Sequence, residues 1–109
     1  MCTSISFLTK NHYFGRTLDM EFSYDEKVII TPRKYPLKFR MTNELKEHFA
    51  IIGIGILEEN YPLYYDATNE KGLSIAGLNF PGNAAYFPYK EGTDNIASFE
   101  LIPWLLGQC

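Results

Sequence analysis

The second residue of the chain, Cys2, is a candidate catalytic nucleophile. It follows Met1, and its small side chain makes Met1 a suitable target for a methionine aminopeptidase. Removal would leave Cys2 with a thiol of reference pKa about 8.5 and a free α-amino group of reference pKa roughly 7.7 to 8.0. One residue would then carry a nucleophile and a nearby base, as acyl transfer requires. The position alone is weak evidence, because a cysteine after the initiator Met usually has no catalytic role.

Two charged residues, Arg16 and Asp19, follow a strand that returns toward Cys2. Alternation predicts a first strand over residues 3–8 and a second over residues 13–18, which together form a hairpin. A guanidinium near the thiol would favour the thiolate, and a carboxylate could orient the α-amino group. From spacing alone, a surface Arg–Asp pair worth at most about 1 kcal/mol is the favoured interpretation.

Asn79 is a candidate contributor to an oxyanion hole. It ends an apolar strand predicted over residues 73–78 and precedes the turn at residues 80–82. Strand ends beside Gly/Pro turns often carry site residues. A backbone N–H or a side-chain amide at this position could face a developing oxyanion. An asparagine that serves only its own turn is an equal alternative.

The remaining pattern predicts several more strands. The uncharged run at residues 49–57 predicts a strand buried on both faces, in which Gly53 and Gly55 leave room for a neighbouring layer. A short helical turn is predicted near Glu44, and residues 83–95 predict an extended loop. The other predicted strands are residues 28–31 and 61–65.

The last segment changes to a helical period. Ser98 is placed to cap a helix, Glu100 suits its positive end, and Pro103 is tolerated near the first turn. One helix cannot cover both faces of a sheet of at least five strands. We therefore expect residues 1–109 to be the N-terminal part of a single domain, with the remainder supplying more helix and sheet. The apolar residues at helical spacing are Phe99, Ile102, Leu105 and Leu106.

Composition excludes several classes of protein. Hydrophobic residues make up 46% and charged residues 21% of the chain, so disorder is not expected. The net charge is -3 without a basic patch, which argues against nucleic-acid binding. The longest apolar run, residues 50–57, is too short to cross a bilayer, and no targeting segment is visible. We expect a cytoplasmic protein that does not bind membranes.

The cysteines and histidines do not form a metal-binding pattern. Cys2 and Cys109 stand at opposite ends of the chain, and His12 and His48 stand far apart in sequence. Two cysteines do not make a secreted disulfide framework, and lone histidines lack metal-ligand spacing. We therefore expect no metal site, and a Cys2–Cys109 bridge is a minor alternative.

Seven short segments occur in order along the whole chain. In one-letter code they are MCTSI at residues 1–5, YFGRTLD at 13–19, TPR at 31–33, YPLYYDA at 61–67, NEKGL at 69–73, AGLNFPG at 76–82 and FELIPWLLGQC at 99–109. Together they resemble the choloylglycine hydrolase family, and within it the bile salt hydrolases of Gram-positive gut bacteria such as lactobacilli. A single short motif would prove little, whereas seven in order are specific.

The resemblance implies a fold and an activity. The fold is the α+β, αββα sandwich of N-terminal-nucleophile (Ntn) hydrolases, of which this chain would be the N-terminal portion. The activity is hydrolysis of the amide bond in glycine- or taurine-conjugated bile acids. No metal or organic cofactor is implied, and tetramers are common in the family, so we expect a homo-oligomer.

The resemblance also implies roles for individual residues. Cys2 would be the nucleophile and its α-amino group the base, with Arg16 beside the thiol and Asp19 holding the amine. The backbone N–H of Asn79 would help to form the oxyanion hole. That position is commonly Tyr in the related penicillin V acylases, so Asn79 favours the bile-salt branch. Positions that line the steroid-binding cleft correspond to Met20 and Tyr65.

The chain departs from the family pattern in one residue and in length. Thr17 stands where the family usually has Asn, and we expect a small effect because Thr keeps strand propensity and a hydroxyl. A second Asn and a second Arg of the family site would lie beyond residue 109, so we expect residues 1–109 alone to be inactive. Two alternatives remain: an amidase for penicillin V or acyl-homoserine lactones, and a non-catalytic remnant that binds steroid or a partner chain.

Overall fold

The first two strands form a two-stranded antiparallel sheet in the computed structural model, which describes residues 1–109. Strand β1 spans Ser4–Leu8 and β2 spans His12–Arg16. Ser4 lies opposite Arg16, and the pairing continues one residue further because the Thr17 N–H donates to the Thr3 carbonyl oxygen over 2.8 Å. The predicted hairpin is therefore confirmed, and it brings the end of β2 to the start of β1.

The next four strands form one antiparallel sheet in the order β3-β4-β5-β6. The turn between β4 and β5 uses Glu59 and Asn60, whose φ angles of 49° and 66° suit a two-residue hairpin turn. Strand β5 is longer than the sequence predicted and β6 is shorter. The strands are β3 Lys27–Thr31, β4 Ile51–Glu58, β5 Tyr61–Asn69 and β6 Ser74–Ala76.

The two glycines of β4 allow close approach of the neighbouring strand β5. A Cβ atom added at Gly53 would collide with the backbone of Asp66 and Ala67. One added at Gly55 would collide with the backbone of Leu63. The expectation of a close second layer at these glycines is therefore wrong, since the close approach is within the sheet, between β4 and β5.

Only one face of the four-stranded sheet is covered. Ile51 of β4 is 1% exposed, whereas the next residue, Ile52, is 49% exposed. Within residues 1–109 the helix packs on one side of this strand only, so its burial on both faces stays a prediction. The core on the covered side consists of Ile29, Leu37, Ile51, Tyr64, Ala67, Ile102 and Leu106.

The predicted C-terminal helix is confirmed, although its start differs. A 3₁₀ turn over Ser98–Glu100 leads into α1, Leu101–Gln108. Ser98 makes no side-chain capping bond, so that expectation is wrong. The buried Glu100 carboxylate instead accepts the backbone N–H groups of Ala97 (3.1 Å) and Arg40 (2.9 Å). Pro103 lies in the first turn of α1, where its missing N–H has no helical partner to lose.

The segment between β3 and β4 contains no helix. Leu37 and Leu45 form an isolated antiparallel bridge, so the predicted helical turn near Glu44 is wrong. No helix in the structure combines the length and apolar character that crossing a membrane requires.

The side chain of Asn69, at the end of β5, ties the sheet to the helix. Its Nδ2 donates to the Leu106 carbonyl oxygen of α1 over 2.9 Å. Its Oδ1 accepts the backbone N–H groups of Lys71 and Leu73 at 3.0 Å each. One buried amide therefore closes both the β5–β6 turn and the C-terminal end of α1.

Candidate active site

Cys2 lies half-buried just before β1, with a free thiol. It lines an open cavity of about 390 Å³ in which residues from the N-terminus, the end of the hairpin and the loop after β6 converge. Two of the predicted site residues, Asp19 and Asn79, line the same cavity. The remaining lining residues are Met1, Phe80, Pro81 and Asn83.

The surroundings of the Cys2 thiol favour its ionised form. The backbone N–H of Asp19 contributes most to lowering the pKa of this thiol below its ordinary value, and the Arg16 guanidinium adds a hydrogen bond and a positive charge. Burial and the negative charge of the Asp19 carboxylate oppose this shift. The net direction is downward, which is what a nucleophilic cysteine requires.

The carboxylate of Asp19 lies at the N-terminal end of the chain. Its Oδ2 is 3.7 Å from the α-amino nitrogen, which in this structure belongs to Met1. Both groups are exposed, with 47% of the Asp19 side chain accessible, so the pair adds little stability. The pair matters for its position, because it places a carboxylate within reach of the amino group at the chain terminus.

Arg16 is a buried connection between the hairpin and the larger sheet. Its side chain is 6% exposed, and its two terminal nitrogens donate to the carbonyl oxygens of Tyr65 and Gly77, each over 3.0 Å. Its ion-pair partner is Asp66, at 3.6 Å, and not Asp19. The favoured interpretation from spacing, a surface Arg16–Asp19 pair, is therefore wrong.

A β-bulge presents the carbonyl group that Arg16 uses. Ile54 pairs with Asp66 whereas Gly55 pairs with Tyr64, so Tyr65 is an extra residue in β5. Its carbonyl oxygen also accepts the Gly77 N–H over 2.7 Å. The Arg16 contacts with β5 and with the residue after β6 were not predicted from the sequence.

Thr17 connects the start of β1 to the site carboxylate. Its Oγ1 accepts the Thr3 N–H over 3.0 Å and donates to Oδ2 of Asp19 over 3.2 Å. Both hydrogen bonds therefore lie at the open end of the hairpin, next to Cys2 in sequence at Thr3 and just after β2 at Thr17.

Of the other predicted site residues, Asn79 lines the cavity at Cys2, whereas Met20 and Tyr65 do not. Asn79 is exposed in the loop after β6, and its N–H donates none of the backbone hydrogen bonds of the chain. Met20 and Tyr65 are half-buried and do not line the cavity at Cys2. Burial, followed by the nearby Glu26 and Tyr24, raises the pKa of the Tyr65 phenol. Contact of Met20 and Tyr65 with a substrate stays a prediction.

The structure contains no group of three His, Cys, Asp or Glu side chains arranged to hold a metal ion. Cys2 and Cys109 are both free, so the alternative of a bridge between them does not describe this structure.

Comparison with known proteins gives one family. The model of the choloylglycine hydrolase family of linear amide C-N hydrolases matches residues 2–109. A bile salt hydrolase/transferase from Lactiplantibacillus plantarum is 62% identical over 108 residues, which are 99% of this chain and 33% of that protein. A conjugated bile acid hydrolase from Lactobacillus gasseri is 45% identical, over 96% of this chain and 34% of that protein.

Solved structures agree with this similarity. Two crystal structures of variants of the conjugated bile acid hydrolase from Clostridium perfringens superpose with TM-scores of 0.87 and 0.86 at 36% and 33% identity. They cover 98% and 100% of this chain, and the chain covers 34% of each. The chain therefore matches the N-terminal-nucleophile fold over its own length and spans about a third of the length of the relatives it matches.

Proposed function

The chain belongs to the choloylglycine hydrolase family of linear amide C-N hydrolases, and we propose that it contributes the nucleophile of a conjugated bile acid amidase. In this proposal residues 1–109 form the N-terminal part of a single Ntn-hydrolase domain. The observation that carries the proposal is the grouping of the Cys2 thiol with the Asp19 backbone N–H and the Arg16 guanidinium, both of which lower its pKa. The Asp19 carboxylate also lies 3.7 Å from the α-amino nitrogen of Met1, the residue whose removal would free the amine of Cys2.

The first step is attack by the Cys2 thiolate on the amide carbonyl carbon of the substrate. A C–S bond forms, and the carbonyl oxygen takes up the negative charge. Asn79 lines the same cavity as Cys2, and its backbone N–H is proposed to stabilise that oxyanion. The C–N bond then breaks, and the Cys2 α-amino group, freed by removal of Met1, passes the thiol proton to the leaving amine nitrogen.

The second step is hydrolysis of the resulting thioester. Water attacks the acyl carbon, its proton passes to the α-amino group and then to the departing sulfur, and the free acid leaves. The same base therefore serves both steps. Asp19 is proposed to hold this amine in place, and Arg16 to keep the thiolate available between turnovers.

The substrate class rests on the relatives. Proteins that are 62% and 45% identical to this chain are named bile salt hydrolase/transferase and conjugated bile acid hydrolase. We propose glycine- or taurine-conjugated bile acids as substrates, with Met20 and Tyr65 in the steroid-binding cleft. The cytoplasmic location and the homotetramer that the family implies stay predictions.

The test is glycine release from glycocholate by the full-length natural protein and two cysteine variants. Cys2→Ala is expected to abolish release, whereas the exposed Cys109→Ala is a matched control expected to retain it. Undiminished release by Cys2→Ala would overturn the nucleophile assignment. Faster turnover of penicillin V than of taurocholate would replace the substrate class and leave the nucleophile in place. No turnover of either substrate would favour the non-catalytic remnant.

A further inference from the structure

We propose that Thr17 is a positioning residue, whose hydroxyl fixes the Asp19 carboxylate toward the amino terminus. This inference rests on the proposed function, because it assigns to Thr17 the task of orienting the carboxylate that holds the catalytic amine. It concerns a side chain that touches neither the substrate nor the thiol in the proposed reaction.

The hydroxyl of Thr17 has a defined direction. Its Oγ1 accepts the Thr3 N–H over 3.0 Å, so that a fixed backbone donor occupies the lone pair on one side. A hydroxyl has a single hydrogen to donate, and here it is given to Oδ2 of Asp19 over 3.2 Å. A chain of two hydrogen bonds therefore runs from the backbone at the start of β1 to the site carboxylate.

The oxygen that receives this hydrogen bond is the one that faces the amino terminus. Oδ2 of Asp19 lies 3.7 Å from the α-amino nitrogen on Met1. The side chain of Asp19 is 47% exposed, and Thr17 Oγ1 is the only hydrogen-bond donor to it in the structure. Without the hydroxyl, this carboxylate would keep only the 3.7 Å ion pair with the exposed amino terminus, and water would compete for it.

Backbone pairing does not explain the side-chain contact. The Thr17 N–H donates to the Thr3 carbonyl oxygen over 2.8 Å, and that bond is available to any residue except proline at position 17. The hydroxyl adds a second link between the same two residues and then extends it to Asp19. The backbone pairing at the end of the hairpin therefore forms without the Thr17 hydroxyl. Orientation of the Asp19 carboxylate requires that hydroxyl.

The decisive variant is Thr17→Val in the full-length natural protein, because valine keeps the shape and strand propensity of threonine and lacks the hydroxyl. We expect kcat for glycocholate to fall roughly tenfold or more with KM nearly unchanged, since a charge-assisted hydrogen bond to the site carboxylate is lost.

Three further variants separate positioning from folding. Thr17→Ser keeps the hydroxyl and is expected to restore kcat. Thr42→Val removes a similar bond, from Thr42 Oγ1 to Asp94 Oδ1 at 2.7 Å, away from the cavity, and is expected to leave kcat unchanged. If Thr17→Val does not fold, Thr17→Ala against Thr17→Ser gives the same comparison.

The inference and the proposed function fail in different ways. Wild-type kcat in Thr17→Val, with Cys2→Ala inactive, would overturn the role of Thr17 alone. Thr17→Ser as impaired as Thr17→Val would overturn it as well, because the hydroxyl would then not be the group that acts. A wild-type protein without turnover, or an active Cys2→Ala, would overturn the proposed function and this inference with it.

Discussion

The guanidinium of Arg16 is bound by the main-chain carbonyl oxygen of Tyr65, 49 residues later in the chain, over 3.0 Å. The hairpin that carries the candidate nucleophile is thereby attached to the four-stranded sheet. The same guanidinium helps to lower the pKa of the Cys2 thiol. One buried side chain, that of Arg16, therefore both attaches the hairpin to the larger sheet and favours the thiolate of Cys2.

Replacing Arg16 tests that connection through the thiol itself. In the full-length natural protein, Arg16→Gln is expected to raise the pH midpoint of Cys2 alkylation by iodoacetamide, because a positive charge and a hydrogen bond are lost. The Asp19 backbone N–H, which is the largest cause of the lowered pKa of this thiol, remains in the variant. Arg33→Gln, which removes a distant surface arginine, is the control. An unchanged midpoint in Arg16→Gln would remove Arg16 from the site.

The pair of Arg33 and Glu70 makes a prediction about acid stability. Two-point contact with Arg33 and then the Ala50 backbone N–H lower the pKa of Glu70 from 4.5 to about 2. A carboxylate with a depressed pKa stabilises the fold above its ordinary pKa and loses that contribution as the pH falls through its folded value.

Glu70→Gln is therefore expected to lower the urea midpoint of unfolding at pH 6, and the difference from wild type is expected to shrink between pH 4.5 and about 2. Glu91→Gln, at an exposed residue outside any ion pair in the structure, serves as the control and is expected to match wild type across the range. A difference that grows as the pH falls would contradict the assignment.

Asn69 is expected to be one of the most sensitive polar residues of the fold. Asn69→Ala leaves the Leu106 carbonyl oxygen and two turn N–H groups without their partner in a buried setting. The expected cost is on the order of 3 kcal/mol in the free energy of unfolding, measured by urea titration of the full-length natural protein. Asn43→Ala, at an exposed residue, is expected to cost less than about 0.5 kcal/mol. Equal costs would show that the buried amide adds nothing.

Gly53 tests the close approach of β4 to β5. Gly53→Ala places a methyl group against the backbone of Asp66 and Ala67, which cannot turn aside as a flexible side chain could. We expect a loss of about 1 to 3 kcal/mol or more in the free energy of unfolding. The matched control is Gly15→Ala, because a Cβ there meets no atom within 4 Å. A tolerated Gly53→Ala would mean that the strands separate at little cost.

The sequence predicted the features of the site that depend on local pairing. The hairpin follows from alternation on both sides of a turn, and a hairpin necessarily returns residues 16–19 to the neighbourhood of residue 2. The strand end before a Gly/Pro turn made Asn79 a candidate, but only the family resemblance assigned it to the site around Cys2. The C-terminal helix follows from the apolar period.

The sequence did not predict the features that depend on distant pairing. The bulge at Tyr65 arises from the register between β4 and β5, which no local pattern specifies. The contacts of Arg16 with Tyr65, Gly77 and Asp66 depend on how two sheets meet. Apolar composition of residues 49–57 does not say which face of the strand the helix of this chain covers, and Ile51 is buried where Ile52 is exposed.

We propose that Cys2, as the N-terminal residue, carries the acyl group during turnover. Mass spectrometry of the N-terminal peptide, after acid quenching of the active full-length protein with glycocholate, tests this directly. We expect a peptide that lacks Met1 and bears one cholyl group on Cys2. Full activity with Met1 retained, or a cholyl group on any other residue, would contradict it.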